Sequence, residues 1–247
     1  METMQHIGIL AHSAEGSALC YLTVCHEGSR RLGAHQHPDI TLDVTAMGAS
    51  MQAWRDGDLG SIRATLAETA RRLAASGCDF FVCPDNTAHI ALEAAGPPLA
   101  IPGLHIAEVV AEKAAAEGHG TIGVLGTRWT MDGPIYRDAF ARRGQEFRIP
   151  EAQDPEVIDR VIFDELCNGV IREQSRAEYV RIIHWLAAQG CDAVVLGCTE
   201  IPLLTPPEAS PLPTLDSTRL LAIAAVDAAM GLRVAPSWRG GPITGAA

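Results

Sequence analysis

The sequence holds a single lysine, Lys113, among 247 residues, and its formal net charge is -11. With no basic stripe or lysine-rich tail to neutralise a phosphate backbone, nucleic acid is excluded as an expected partner. Long apolar runs are missing too. None approaches the roughly 20 residues that a membrane helix needs, and the opening METMQHIGILAHS has neither the basic start nor the apolar stretch of a secretion signal. The expectation is a cytoplasmic protein that engages no membrane. Cys-x-x-Cys pairs are absent, and the seven cysteines (20, 25, 78, 83, 167, 191 and 198) are odd in number and scattered, which argues for reduced thiols rather than a disulfide framework. The histidines of HQH, His35 and His37, have no companion cluster, so no metal is expected. There is no G-x-G-x-x-G, no phosphate loop around the one lysine and no G-x-S-x-G, which removes the familiar nucleotide and serine-nucleophile signatures.

The chain does have the means to fold. Hydrophobic residues make up 47% and charged residues 20%, the usage of a globular protein with core enough for one large or two small domains. Short apolar runs (HIGILAHS, DITLDVTAM, CDFFVCP, LAIPGL, TIGVLGT, QEFRIPE, CDAVVLGC, PLPTLDS) alternate with helical spacing over stretches such as 61–76, 105–118, 130–143 and 176–189. The fold class is therefore α/β, with parallel sheets flanked by helices.

The units also repeat. GCDFFVCPDNT from Gly77 and GCDAVVLGCTE from Gly190 share Gly-Cys-Asp, an apolar strand and a polar turn at an offset of 113. Downstream, Pro98 matches Pro211, Ala115 and Ala116 match Ala228 and Ala229, and Gly118 matches Gly231, while IGIL at Ile7 and IGVL at Ile122 match at 115. Two pseudo-symmetric domains are expected, the first from 1–103 plus 213–247 and the second from 104–212. Ligands of open parallel sheets bind beyond the carboxyl ends of the strands, which points to the turns after Val82 and Leu196 and to a cleft between the halves. Superposed, these turns put Asp85 opposite Cys198.

Cys198 follows a strand and a glycine and precedes Thr199 and Glu200, a setting in which a thiolate can be stabilised. Cys20, Cys25, Cys78 and Cys191 read as small core residues. Asn86, Thr87 and Thr199 carry short side chains suited to holding a carboxylate or to capping a helix, and the two roles can coexist.

These motifs resemble the aspartate/glutamate racemase superfamily. The resemblance rests on PDNTAH at Pro84–His89 and GCTEIP at Gly197–Pro202, with support from GILAHSAEG, GTRWTM, FDELCNG and LPTLDSTR across nearly the whole chain. It implies two α/β halves with the active site in the cleft between them, a homodimer, no cofactor, and a small-molecule carboxylate or amino acid as substrate. It also implies two thiols that exchange the proton on the carbon next to a carboxylate from opposite faces. Cys198 matches the second thiol. Asp85 stands where the family pattern PCNTAH has the first, with Cys83 two residues earlier as a rearranged substitute. Where family aspartate racemases read GGMGP, this chain reads Ala11-His12-Ser13-Ala14-Glu15.

A carboxylate at its reference pKa is a weaker base than a thiolate by roughly 4 to 5 units, a gap that burial of Asp85 would narrow. Asp85 thus transfers a proton, binds a substrate group or caps the following helix. The expected site comprises Cys198, Asp85 and Cys83 as catalytic candidates. Ser13, Asn86, Thr87, Thr127, Thr130, Thr199 and Glu200 are the candidates for holding substrate. An amino-acid racemase or epimerase leads. A one-thiol decarboxylase or isomerase of the same superfamily and a non-catalytic amino-acid-binding homologue are the alternatives.

Overall fold

The computed structural model describes residues 4–243. Its chain forms two compact units, one running to Ile106 and resuming at Thr218, the other spanning Ala107–Ser217. In order, the first unit contains β1 (Ile7–Ala11), α1 (Ala14–Leu32), β2 (Ile40–Val44), α2 (Met51–Asp56), α3 (Leu59–Ala75), β3 (Phe80–Val82), α4 (Ala88–Glu93) and β4 (Gly103–Leu104). α5 (Ile106–Ala116) leads into β5 (Thr121–Gly126), α6 (Arg128–Asp132), α7 (Pro134–Ala141), β6 (Glu146–Arg148), α8 (Asp154–Asp164), α9 (Glu173–Ala188), β7 (Ala193–Gly197), α10 (Ile201–Leu204) and β8 (Thr214–Asp216). α11 (Ser217–Ala229) then returns the chain to the first unit.

Both sheets are parallel and share one topology, β2-β1-β3-β4 and β6-β5-β7-β8. The register repeats as well: Ile7 pairs with Phe80 in one sheet, and Ile122 pairs with Ala193 in the other. Central strands of such sheets are covered on both faces, which explains why IGILA, FFV and AVVLG are unbroken apolar runs with every residue buried. The edge strands β2 and β6 are only partly covered and carry polar residues.

The repeated Gly-Cys-Asp has a local cause. Gly77 (φ 84°) and Gly190 (φ 90°) end α3 and α9 in a backbone region that side chains disfavour. The next residue's N–H returns to the helix in both copies, Cys78 to the Leu73 carbonyl and Cys191 to that of Leu186, each at 3.1 Å. Each cysteine is then buried at a strand start. Each aspartate accepts an N–H from the neighbouring strand's approach, Asp79 from His6 at 2.7 Å and Asp192 from Gly120 at 2.8 Å.

α3 begins at Asp58, whose carboxylate accepts the Ser61 N–H at 3.0 Å, and buries Ile62, Leu66, Ala70 and Leu73 along one face. α9 buries Tyr179, Ile182, Ile183 and Leu186 in the same manner. Helical spacing over 130–143 predicts one helix, but the structure has two, α6 and α7, broken at Gly133. Pro134 is the reason: it lacks the N–H that a continuous helix needs and starts α7 instead.

Candidate active site

In the first unit the site grows from the carboxyl ends of β1 and β3. β1 delivers His12, which is buried, with Ser13 beyond it as the extended residue that precedes α1. β3 delivers Cys83 and Asp85. Cys83 is fully buried, and burial followed by the charge of Asp85 pushes its thiol well above the ordinary range. It is a core side chain.

Asp85 is placed differently. Its Oδ2 lies 3.0 Å from Nδ1 of His12, and its Oδ1 accepts the Ala88 N–H of α4 at 3.1 Å. Burial acts to raise its pKa, but the hydrogen bond from His12, the charge of that ring when protonated and the Ala88 N–H outweigh it and hold the carboxyl below its ordinary value. The narrowing of the base-strength gap by burial is therefore not what the structure provides. Asp85 does cap α4, and it binds an imidazole as well.

Two imidazoles flank Asp85. His89 is fully buried with both nitrogens engaged, Nδ1 at 2.9 Å from the Asp85 carbonyl and Nε2 accepting the Ile106 N–H at 3.3 Å. Burial, then the neighbouring His105, hold it down to about 3, so it is a neutral structural ring. His12 is paired only at Nδ1; its Nε2 is buried without a partner among the described residues. An unpaired buried polar atom costs about 1–3 kcal/mol, so this nitrogen has an unmet need for a partner. His12 was missed in reading the sequence as a site residue. Its signal was a histidine directly after an apolar strand, in the turn that departs from GGMGP.

In the second unit β7 ends at Gly197 and delivers Cys198, whose Sγ–H donates to Oε2 of Glu200 at 2.9 Å. Burial, then the negative charge of Glu200, push this thiol well above its ordinary value, so it rests protonated. Thr199 and Glu200 are buried beside it, as is Asn86 in the turn of the first unit, where Thr87 is half-buried. Thr127 caps α6 by accepting the Thr130 N–H at 3.2 Å, and the two buried hydroxyls lie 3.2 Å apart. Among the described residues no group of His, Cys, Asp and Glu side chains is set to hold a metal ion, and no helix is long and apolar enough to cross a membrane.

The protein is thus a duplicated parallel α/β fold with an ionisable side chain at the end of a central strand in each unit. Residues 9–225 match the Asp/Glu/Hydantoin racemase family, and the chain belongs to that family. It is similar to a glutamate racemase from Pseudomonas entomophila, 32% identical over 62% of this chain and 57% of that protein. It is also similar to the broad specificity amino-acid racemase RacX of Bacillus subtilis, 25% identical over 67% of this chain and 71% of that one. The chain thus spans little more than half the length of the first of these relatives. Among solved structures, a protein provisionally described as an Asp/Glu racemase from Yersinia pestis superposes with a TM-score of 0.81 at 32% identity, covering 92% of this chain and 100% of that one.

Proposed function

We propose that this protein is a cofactor-independent amino-acid racemase or epimerase that exchanges the proton on the carbon next to a carboxylate. Cys198 serves one face, and the turn centred on Asp85 serves the other. The observation that carries this reading is the pair of matching strand ends, β3 and β7, each closing on a partly buried, hydrogen-bonded ionisable side chain. Asp85 rather than Cys83 belongs to the working end of the first turn, because the Cys83 thiol is sunk in the core and out of reach. Ser13, Asn86, Thr87 and Thr199 offer short polar groups for the substrate's carboxylate and amino group. Thr127 and Thr130 brace the end of β5, and Glu200 keeps Cys198 protonated as a proton donor.

The test is proton NMR in deuterated water with a panel of amino acids. Loss of the Cα signal of both enantiomers with wild-type protein is expected, and in Cys198→Ala at least a 100-fold slower loss for one of them, in line with acid/base contributions of about 10²–10⁴. Undiminished exchange in that variant sinks the role of Cys198. A single thiol at a strand end also suits a lyase that releases carbon dioxide from a substituted malonate and then protonates the carbanion once. That reading takes over if carbon dioxide evolves while no amino acid exchanges.

A further inference from the structure

The two imidazoles beside Asp85 differ in one respect that matters for chemistry. His89 has a protein partner on each nitrogen, whereas His12 has one on Nδ1 alone. The carboxylate of Asp85 has both oxygens occupied, Oδ2 by His12 and Oδ1 by the Ala88 N–H. A carboxylate can only accept, so the shared proton sits on Nδ1, and in the neutral form of the ring Nε2 has a bare lone pair. That atom is buried and faces no protein donor among the described residues, so an arriving acidic hydrogen gives it the partner it lacks.

We propose that His12, oriented by Asp85, is the acid/base group of the first turn, and that Asp85 is its positioning residue rather than the atom that takes the proton. The proposal rests on the racemase reading above and specifies how that reading works. In the forward step the Cα–H bond breaks, its electron pair passes into the enolate of the substrate carboxylate, and the proton goes to Nε2. The Sγ–H bond of Cys198 then breaks, its proton goes to the opposite face of the carbon, and a thiolate remains. Transfer from the imidazolium back to the thiolate through solvent resets the enzyme, and the reverse reaction runs from the thiolate and imidazolium form. This arrangement resolves the mismatch between a carboxylate and a thiol, because imidazole changes protonation near neutral pH and a carboxylate does not. The depressed Asp85 carboxyl and the protonated resting state of Cys198 are consistent with it: one turn accepts first, the other donates first.

The experiment follows deuterium exchange at Cα for each enantiomer separately in wild type, His12→Gln, Asp85→Asn and Cys198→Ala. A base on one face can still exchange the enantiomer whose hydrogen it faces. His12→Gln is therefore expected to lose exchange of one enantiomer by 100-fold or more at every pH while the other persists at high pH, where Cys198 ionises, with Cys198→Ala losing that second one. Asp85→Asn is expected to lower kcat for the His12 enantiomer with little change in KM, and added imidazole to restore exchange in His12→Gly but not in Asp85→Asn. Equal losses for both enantiomers, or a rise in KM alone, in His12→Gln overturn the proposal in favour of carboxylate binding. Full exchange in His12→Gln with loss in Asp85→Asn overturns it in favour of Asp85 as the base. Absence of exchange in wild type refutes the racemase reading itself, a separate result. Nitrogen-15 NMR of histidine-labelled wild type needs no variant: in the neutral form of His12 the proton is expected on Nδ1 and not on Nε2, and the opposite tautomer rejects the assignment.

Discussion

At the scale of single residues, Cys198 and Glu200 make opposite demands on each other. The thiol donates to a carboxylate 2.9 Å away, and burial together with that negative charge holds it protonated. Replacing Glu200 by Gln removes the charge while keeping an acceptor, so the Cys198 pKa falls. The rate of iodoacetamide alkylation at Cys198, read by peptide mass against pH, is expected to reach its midpoint at a lower pH in Glu200→Gln than in wild type. An unmoved midpoint shows that burial alone sets the thiol. The residue types at both turns were legible from the sequence, Asp85 after one central strand and Cys198 after the other. The partner of Asp85 was not, because His12 lies 73 residues away and only the β1–β3 pairing makes them neighbours.

At the scale of elements, the strand that carries Cys198 is held by close approach. Gly126 and Gly197 are paired across β5 and β7, and a Cβ on Gly197 would meet the Leu125 carbonyl oxygen at 2.9 Å. That neighbour is backbone and cannot swing away. Gly197→Ala is expected to cost about 1–3 kcal/mol, the usual range for overpacking, and to shift the turn that positions Cys198. Its unfolding temperature and its exchange rate should both fall, while Gly48→Ala, where an added Cβ meets nothing within 4 Å, leaves both unchanged. If Gly197→Ala matches wild type, the close approach does not constrain the turn. Element type followed from pattern: the apolar runs became strands, central and edge alike, and helical spacing became helices. The break between α6 and α7 escaped that reading because Pro134 suits a helix start as well as it breaks a helix interior.

At the scale of the whole molecule, acid stability follows from one buried ring. His89 is held at about 3 against an ordinary 6.5, because burial excludes the charged form and the neighbouring His105 disfavours it further. The unfolded chain therefore binds a proton that the folded chain refuses. This stabilisation is present above pH 6.5 and is lost as pH falls toward 3, at no more than about 1.4 kcal/mol per pH unit. Urea unfolding at pH 7, 6 and 5 is expected to weaken stepwise in wild type and more gently in His89→Gln; equal slopes in the two proteins would remove His89 from the account. By itself the sequence determined the α/β class, the repeated Gly-Cys-Asp units and the two strand-end turns, because period, turn chemistry and internal repetition are local properties of the chain. Only the tertiary structure decided that Cys83 is core, that Asp85 lies below its ordinary pKa and that His12 stands beside it with one nitrogen unpaired. Burial, ionisation and hydrogen-bond partners are set by groups brought together from distant parts of the chain, and no local pattern records them.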